Sequence, residues 1–425
     1  MNAPRDLLGR LRLRPGVAMP DGIVGGRPDL SALLLRGQTA AAAIDRVALL
    51  HTLCASAHRL VAQRAVTLAR TGEDATPDAA TLDALAADIT REHARRIGHD
   101  WSMAWTGTTQ AAALGRLRRS TSTPQGTTPP DGDAFADALA DALADAWLAH
   151  EWLGMSPASW LREAAGADGA TGPLDVDRVL AVLRRSATAR PDGIAPVLVQ
   201  AVQRCIALPF MSGPNGLNVP TCLPTPPLRP DDPQQARAWG DAMRTPGYCR
   251  APTWAGGVPD TGPWNRLDLA PATAATATVP LPARLLSRWI ELLRLAVPQG
   301  AGSDRDAPGL AWRPAHGAVC LGEAQALAWV ETSRGLLAHR VSLDGHTDSA
   351  RVADWQVLAP TEWNFHPRGT LAQALAAWPA DHPDTPEAVR LLACAYDPCM
   401  ACEIETRRDT VVSHGDTRPT EGPHA

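Results

Sequence analysis

Two short clusters of metal-binding residue types near opposite ends of a 425-residue chain constrain its fold more than any other feature. The first, HTLCASAH, carries His51, Cys54 and His58; the second, DPCMAC, carries Asp397, Cys399 and Cys402. Two sulfurs at CxxC spacing chelate one metal or form a redox disulfide. His51 and Cys54 are spaced to reach the same side of a helical turn. Together the four make a Cys3His set, which on its own first suggests structural zinc. The bland alternative stays open at this stage: Cys54 as a small buried hydrophobe and His51 as a satisfied helix residue. If the clusters act together, only a fold that returns the C-terminal end to the N-terminal one can join them.

The length is ample for a large core, and the formal charge of -5 gives no electrostatic case for nucleic acid or an anionic membrane. No apolar run reaches the roughly 18 residues of a membrane span. The N-terminus, MNAPRDLLGRLRLRPG, interrupts its leucines with arginines and lacks both an apolar signal core and a twin-arginine pattern, so a cytoplasmic location is expected. Eight cysteines in such a compartment point to metal or thiol chemistry before disulfides. Cys205, Cys222, Cys249, Cys320 and Cys394 have no partner at diagnostic spacing and are read as structural.

Apolar periodicity predicts helices over Ile44–Arg70, which contains no Pro or Gly, over Thr81–Ile97, over Asp133–Leu153, and around Leu174–Leu183. The run Arg91–Arg96 within the second reads as a solvated face. Residues 209–280 are rich in Pro and Gly and are expected to be mostly irregular, with packed parts around their tryptophans. Leu285–Val297 reads as a strongly apolar helix. Leu327–Thr332, Leu337–Leu343 and Val352–Leu358 read as strands, with Asp344-Gly345 as a hairpin signal, and Leu371–Trp378 and Pro386–Ala395 as short helices. The expectation is one mainly α domain over 1–402 with a central bundle of long helices and a small β portion, followed by a polar, disordered tail over 403–425.

DPCMAC resembles the C-terminal active-site signature of [NiFe]-hydrogenase large subunits, DPCxxCxxH, and Cys54 and His58 match the second Cys and the His of their N-terminal CxxCxxxH. Three further stretches agree in order: Asp260–Pro263 with Arg266; Glu331–Gly335 with His339 and Asp344-Gly345; and Pro360–Asn364 with Pro367-Arg368. In that family the second Cys of each pair bridges nickel and iron, and the first binds nickel alone. The resemblance therefore implies Cys54 and Cys402 as iron-side ligands, with Cys399 and His51 on the nickel side, His51 standing where a Cys belongs. Glu405 stands at the His after which the family's precursors are cut, so the tail is expected to remain.

This pattern is similar to that of the HupK/HoxV-type accessory proteins of hydrogenase maturation. The resemblance implies a non-catalytic scaffold that transiently holds iron with two cyanide ligands and one carbonyl, Fe(CN)2(CO), with nickel not expected. It implies as partners a small hydrogenase maturation chaperone, other maturation proteins and the hydrogenase large-subunit precursor. It also puts Arg334 and Thr361 where the enzymes place donors to the cyanides, with His58 and Asp397 as supporting residues. Soft thiolates suit such an iron, and bound cyanide in a dry pocket needs hydrogen-bond donors. A scaffold that releases its cargo needs an opening, which the irregular middle is expected to supply. Two other readings follow from the same residues: a catalytic large subunit with an altered nickel site, and a decayed homologue holding structural zinc.

Overall fold

A computed structural model of the chain describes residues 9–28, 30–51, 54–101, 152–165, 176–191, 193–207, 232–254, 256–266, 281–297, 312–405 and 412–414. The expected helix over Asp133–Leu153 except for its last two residues, Leu174 at the start of the next one, Cys222 and most of the tail lie outside them.

Helix α10 (Leu281–Leu295) is the axis of the larger core. It packs against α4 (Ala79–Arg95), α5 (Pro157–Ala165), α6 (Val176–Ala189), α7 (Ala195–Ala207), α9 (Pro263–Arg266) and α13 (Thr385–Tyr396). A helix contacted on every side must be apolar all round or pair its charges internally. Here Leu285, Leu286, Trp289, Leu292 and Leu293 are buried, and so are Arg284, Arg288 and Glu291 on the same helix.

The β portion is an antiparallel sheet in the order β3 (His316–Gly322), β4 (Gln325–Thr332), β5 (Gly335–Leu343), β6 (Val352–Leu358). Its two central strands are covered on both faces, so they read as nearly continuous apolar runs. Ala326, Ala328 and Val330 meet the core under α3 (Ala55–Thr71), whereas Leu327 and Trp329 meet Trp239 of α8 (Pro233–Ala242). The Asp344-Gly345 signal lies in a connection longer than a two-residue turn, closed by Asp344 N donating to Arg351 O at 3.0 Å.

A second sheet was not anticipated. Its order is β2 (Ile23–Gly26), β1 (Arg10–Leu13), β7 (Ala401–Ile404), β8 (Val412–His414), with β1 and β7 parallel. This sheet ties the two ends of the chain together. The stretch expected as a disordered tail thus begins as strand, and Glu405 is held by Arg14 at 2.7 Å and Arg12 at 3.2 Å. Within the middle region, α8 and α9 are regular where irregular chain was expected. Among the described residues no helix is long and apolar enough to cross a membrane.

Candidate metal centre

The predicted helix over Ile44–Arg70 is two helices. α2 (Ala40–Leu50) ends at His51, α3 begins after Cys54, and Cys54 N donates to His51 O at 3.1 Å across the break. His51 and Cys54 thus lie at the junction of the two helices, joined by that i to i+3 turn bond. No Pro or Gly marks it; α3 lies across β4 and β5 while α2 packs back on α3, so tertiary packing overrides local propensity.

The other cluster sits on the turn after α13. Asp397 caps that helix in the left-handed region (φ 53°), which turns the chain sharply into Pro398 and Cys399. The Asp397 carboxylate is buried among three guanidiniums, with Arg96 at 2.7 Å, Arg288 at 3.1 Å and Arg334 at 3.4 Å. Burial works against the carboxylate, and the three arginines outweigh it and hold its pKa below the ordinary range.

Arg334 occupies the tight turn between β4 and β5. One guanidinium nitrogen donates to Cys54 Sγ at 3.3 Å and another to Glu92 Oε1 at 2.5 Å. Thr361, in the first turn of α11 (Pro360–Asn364), donates its hydroxyl to Cys399 Sγ at 3.1 Å. The two residues that the resemblance aims at cyanide therefore each rest on a sulfur here. Burial raises the Cys54 thiol pKa; Arg334 opposes this, while Glu92 and the nearby Cys399 add to it.

The thiols brought together are Cys54 and Cys399. Cys402 is buried on β7 with Ile404, and burial pushes its pKa up to about 12, with Cys394 and Glu403 as the neighbouring charges. Among the described residues no three His, Cys, Asp or Glu side chains converge as a metal-holding group. Of the cysteines read as structural, Cys205, Cys249 and Cys394 are packed in cores and Cys320 is exposed.

His51, His58 and His339 form a buried imidazole column. His51 stacks on His58 at 3.9 Å, and His58 Nδ1 lies 2.9 Å from His339 Nε2. Burial lowers all three pKa values, that of His51 to about 3 with help from Arg27. Arg27 had no sequence signal. It donates to His51 Nδ1 at 2.6 Å and lies 3.8 Å from Cys399 Sγ.

The run Arg91–Arg96 is not a solvated face. His93 is fully buried on Glu291, Glu92 grips Arg334, and Arg96 grips Asp397. The remaining matched segments brace the Arg334 turn. Thr261 N donates to Asn364 Oδ1 at 2.9 Å, Leu336 N donates to Thr261 Oγ1 at 3.0 Å, and Asn364 Nδ2 donates to Arg334 O at 3.4 Å. A cavity of about 390 Å³ opens on Cys54 between α3, α4 and Thr332–Ser333; most of the irregular middle expected to supply an opening lies outside the described residues.

Along nearly its whole length the chain is similar to a hydrogenase expression/formation protein, HoxV, of Cupriavidus necator: 33% identity over 411 residues, 94% of this chain and 96% of that one. The chain belongs to the HoxV/HupK family. Within the family, HupK of Bradyrhizobium diazoefficiens is 38% identical over 162 residues, covering 38% of this chain and 42% of that protein. The nickel-dependent hydrogenase family matches residues 310–405. Among solved structures, the reduced Ni-Fe-Se hydrogenase of D. vulgaris Hildenborough aligns over 89% of this chain and 92% of that one, with 16% identity and a TM-score of 0.44. In this HoxV/HupK member the Arg27 guanidinium lies between His51 and Cys399 and reaches both residues.

Proposed function

We propose that this protein is an accessory scaffold of [NiFe]-hydrogenase maturation that carries iron with its cyanide and carbonyl ligands as cargo and passes it to the large-subunit precursor. The observation that carries the reading is the pair of thiols, Cys54 and Cys399, each with its own donor, Arg334 or Thr361. Cys54 also lines an open cavity. Membership in a family of proteins named for hydrogenase expression and formation supports the same role.

The chemistry is consistent with holding and releasing. A thiolate, not a thiol, binds iron, so loading expels a proton from Cys54, whose pKa burial has raised. That opposing cost weakens the hold, which suits a carrier. Arg334 and Thr361 can shift from sulfur to a cyanide nitrogen as cargo arrives. The cavity beside Cys54 gives a small maturation chaperone a place from which to deliver it. The setting is cytoplasmic, and no turnover is needed.

The test is infrared spectroscopy on protein isolated from its own host or made with the other maturation proteins. Cyanide and carbonyl bands with stoichiometric iron are expected, and an iron-free protein without those bands would sink the reading. Serine variants then assign the ligands. The geometry favours loss of iron in Cys54→Ser and Cys399→Ser. Loss in Cys402→Ser with retention in Cys399→Ser would restore the family's own pattern and require the start of β7 to turn over.

A further inference from the structure

We propose that the Arg27 guanidinium stands in for a second metal cation between His51 and Cys399 and so keeps the centre to a single metal. The inference rests on the scaffold reading only for its purpose; the geometry stands apart from it.

The second sheet puts Arg27 there. Arg10 lies opposite Gly26 on β2 and opposite Ala401 on β7, so the chain leaving β2 and the chain entering β7 emerge at the same end of the sheet. Gly25 (φ 99°) fits against the Arg10 carbonyl, 2.1 Å from where a Cβ would lie, which no side chain could tolerate. Arg27 therefore leaves the strand directly beside Cys399. One terminal nitrogen of the guanidinium meets His51 Nδ1 at 2.6 Å, and the other faces Cys399, 3.4 Å from its carbonyl oxygen and 3.8 Å from Sγ. Among the described residues it has no carboxylate partner, so the thiol is its counterpart.

The donor count decides what the imidazole can do. Arginine has only N–H donors, so its bond to Nδ1 occupies the lone pair there. The neutral ring then carries its proton on Nε2, an atom that is buried and without a hydrogen-bond partner. Neither ring nitrogen offers a lone pair to a metal while Arg27 is seated. A divalent cation approaching Cys399 from this side also meets a fixed positive charge at contact distance. Removing the guanidinium frees a nitrogen and a sulfur that face the same space, a donor pair suited to nickel, cobalt or zinc.

The experiment is an anaerobic titration of the full chain with cobalt(II), read by thiolate-to-cobalt charge-transfer absorption. Wild type, Arg27→Ala and Arg27→Gln are compared, with folding of each checked by circular dichroism. The wild type is expected to show no cobalt binding that depends on His51. Both Arg27 variants are expected to bind cobalt at least tenfold more tightly, and to lose that gain when Cys399→Ser or His51→Ala is added. The proposal is overturned if neither Arg27 variant binds more tightly, if the gain survives Cys399→Ser or His51→Ala, or if the wild type already binds cobalt through His51. A chain lacking infrared bands would end the cargo reading and leave this result untouched.

Discussion

At the scale of single residues, the candidate centre depends on one guanidinium in a turn with little room. Arg334 reaches Cys54, Glu92 and Asp397 at once, which needs a planar fork and not a point charge. Its neighbour Gly335 has φ 129°, and a Cβ there would lie 2.6 Å from the Thr261 side chain. Gly335→Ala is expected to destabilise the fold by about 2 kcal/mol, through backbone strain and displacement of that threonine. The check is the urea midpoint, and an unchanged midpoint would mean the turn is not held as described. Arg334→Lys is expected to lower the midpoint as well, because Glu92 and the buried Asp397 lose part of their pairing, and to lower bound iron severalfold, since one ammonium cannot make the three contacts together. Unchanged iron content would mean that the fork is not needed at the centre.

At the scale of elements, α4 offers a sharper probe than its composition suggests. Glu92 raises the Cys54 thiol pKa by its charge and also draws Arg334 toward itself. Glu92→Gln removes the like charge and leaves Arg334 to the sulfur, and both changes favour the thiolate. The alkylation profile of Cys54, followed by mass spectrometry, should therefore move to lower pH, and a shift to higher pH would refute the arrangement. This role was hidden in the sequence for a physical reason. A run of charges on a helix normally faces solvent, and only the packing of α4 against α10 turns Glu92 and Arg96 toward Arg334 and Asp397. The break between α2 and α3 was hidden too, because neither Gly nor Pro marks it. The strands β4 to β6 and the helices α10, α12 (Thr370–Ala377) and α13 were legible, since burial on two faces and helical periodicity leave direct traces in residue order. Arg27 left none, because its position depends on register in a sheet built from both ends of the chain.

At the scale of the whole molecule, the same burial that shapes the centre should govern stability against acid. His58, His93 and His339 are buried, and burial holds the pKa of each below its ordinary value, although Glu291 pulls His93 back part of the way. Unfolded histidine titrates near 6.5, so as pH falls below about 6.5 the unfolded chain takes up protons that the folded chain refuses. Stability is full above that pH and declines below it, by about 1.4 kcal/mol per pH unit for each histidine that stays neutral in the folded chain. Asp397 and Glu92 act in a lower window. Their pKa values are depressed, so their contribution persists through the histidine range and is lost only as pH falls below about 4. Urea midpoints of metal-free protein should therefore fall between pH 7.5 and 5.5, with carboxylates not yet involved. His339→Gln, which keeps an amide in place of the ring, should remove about one proton from that slope. A midpoint unchanged across this range would mean that the folded chain takes up these protons itself, and the neutral imidazole column beside Cys54 would have to be abandoned.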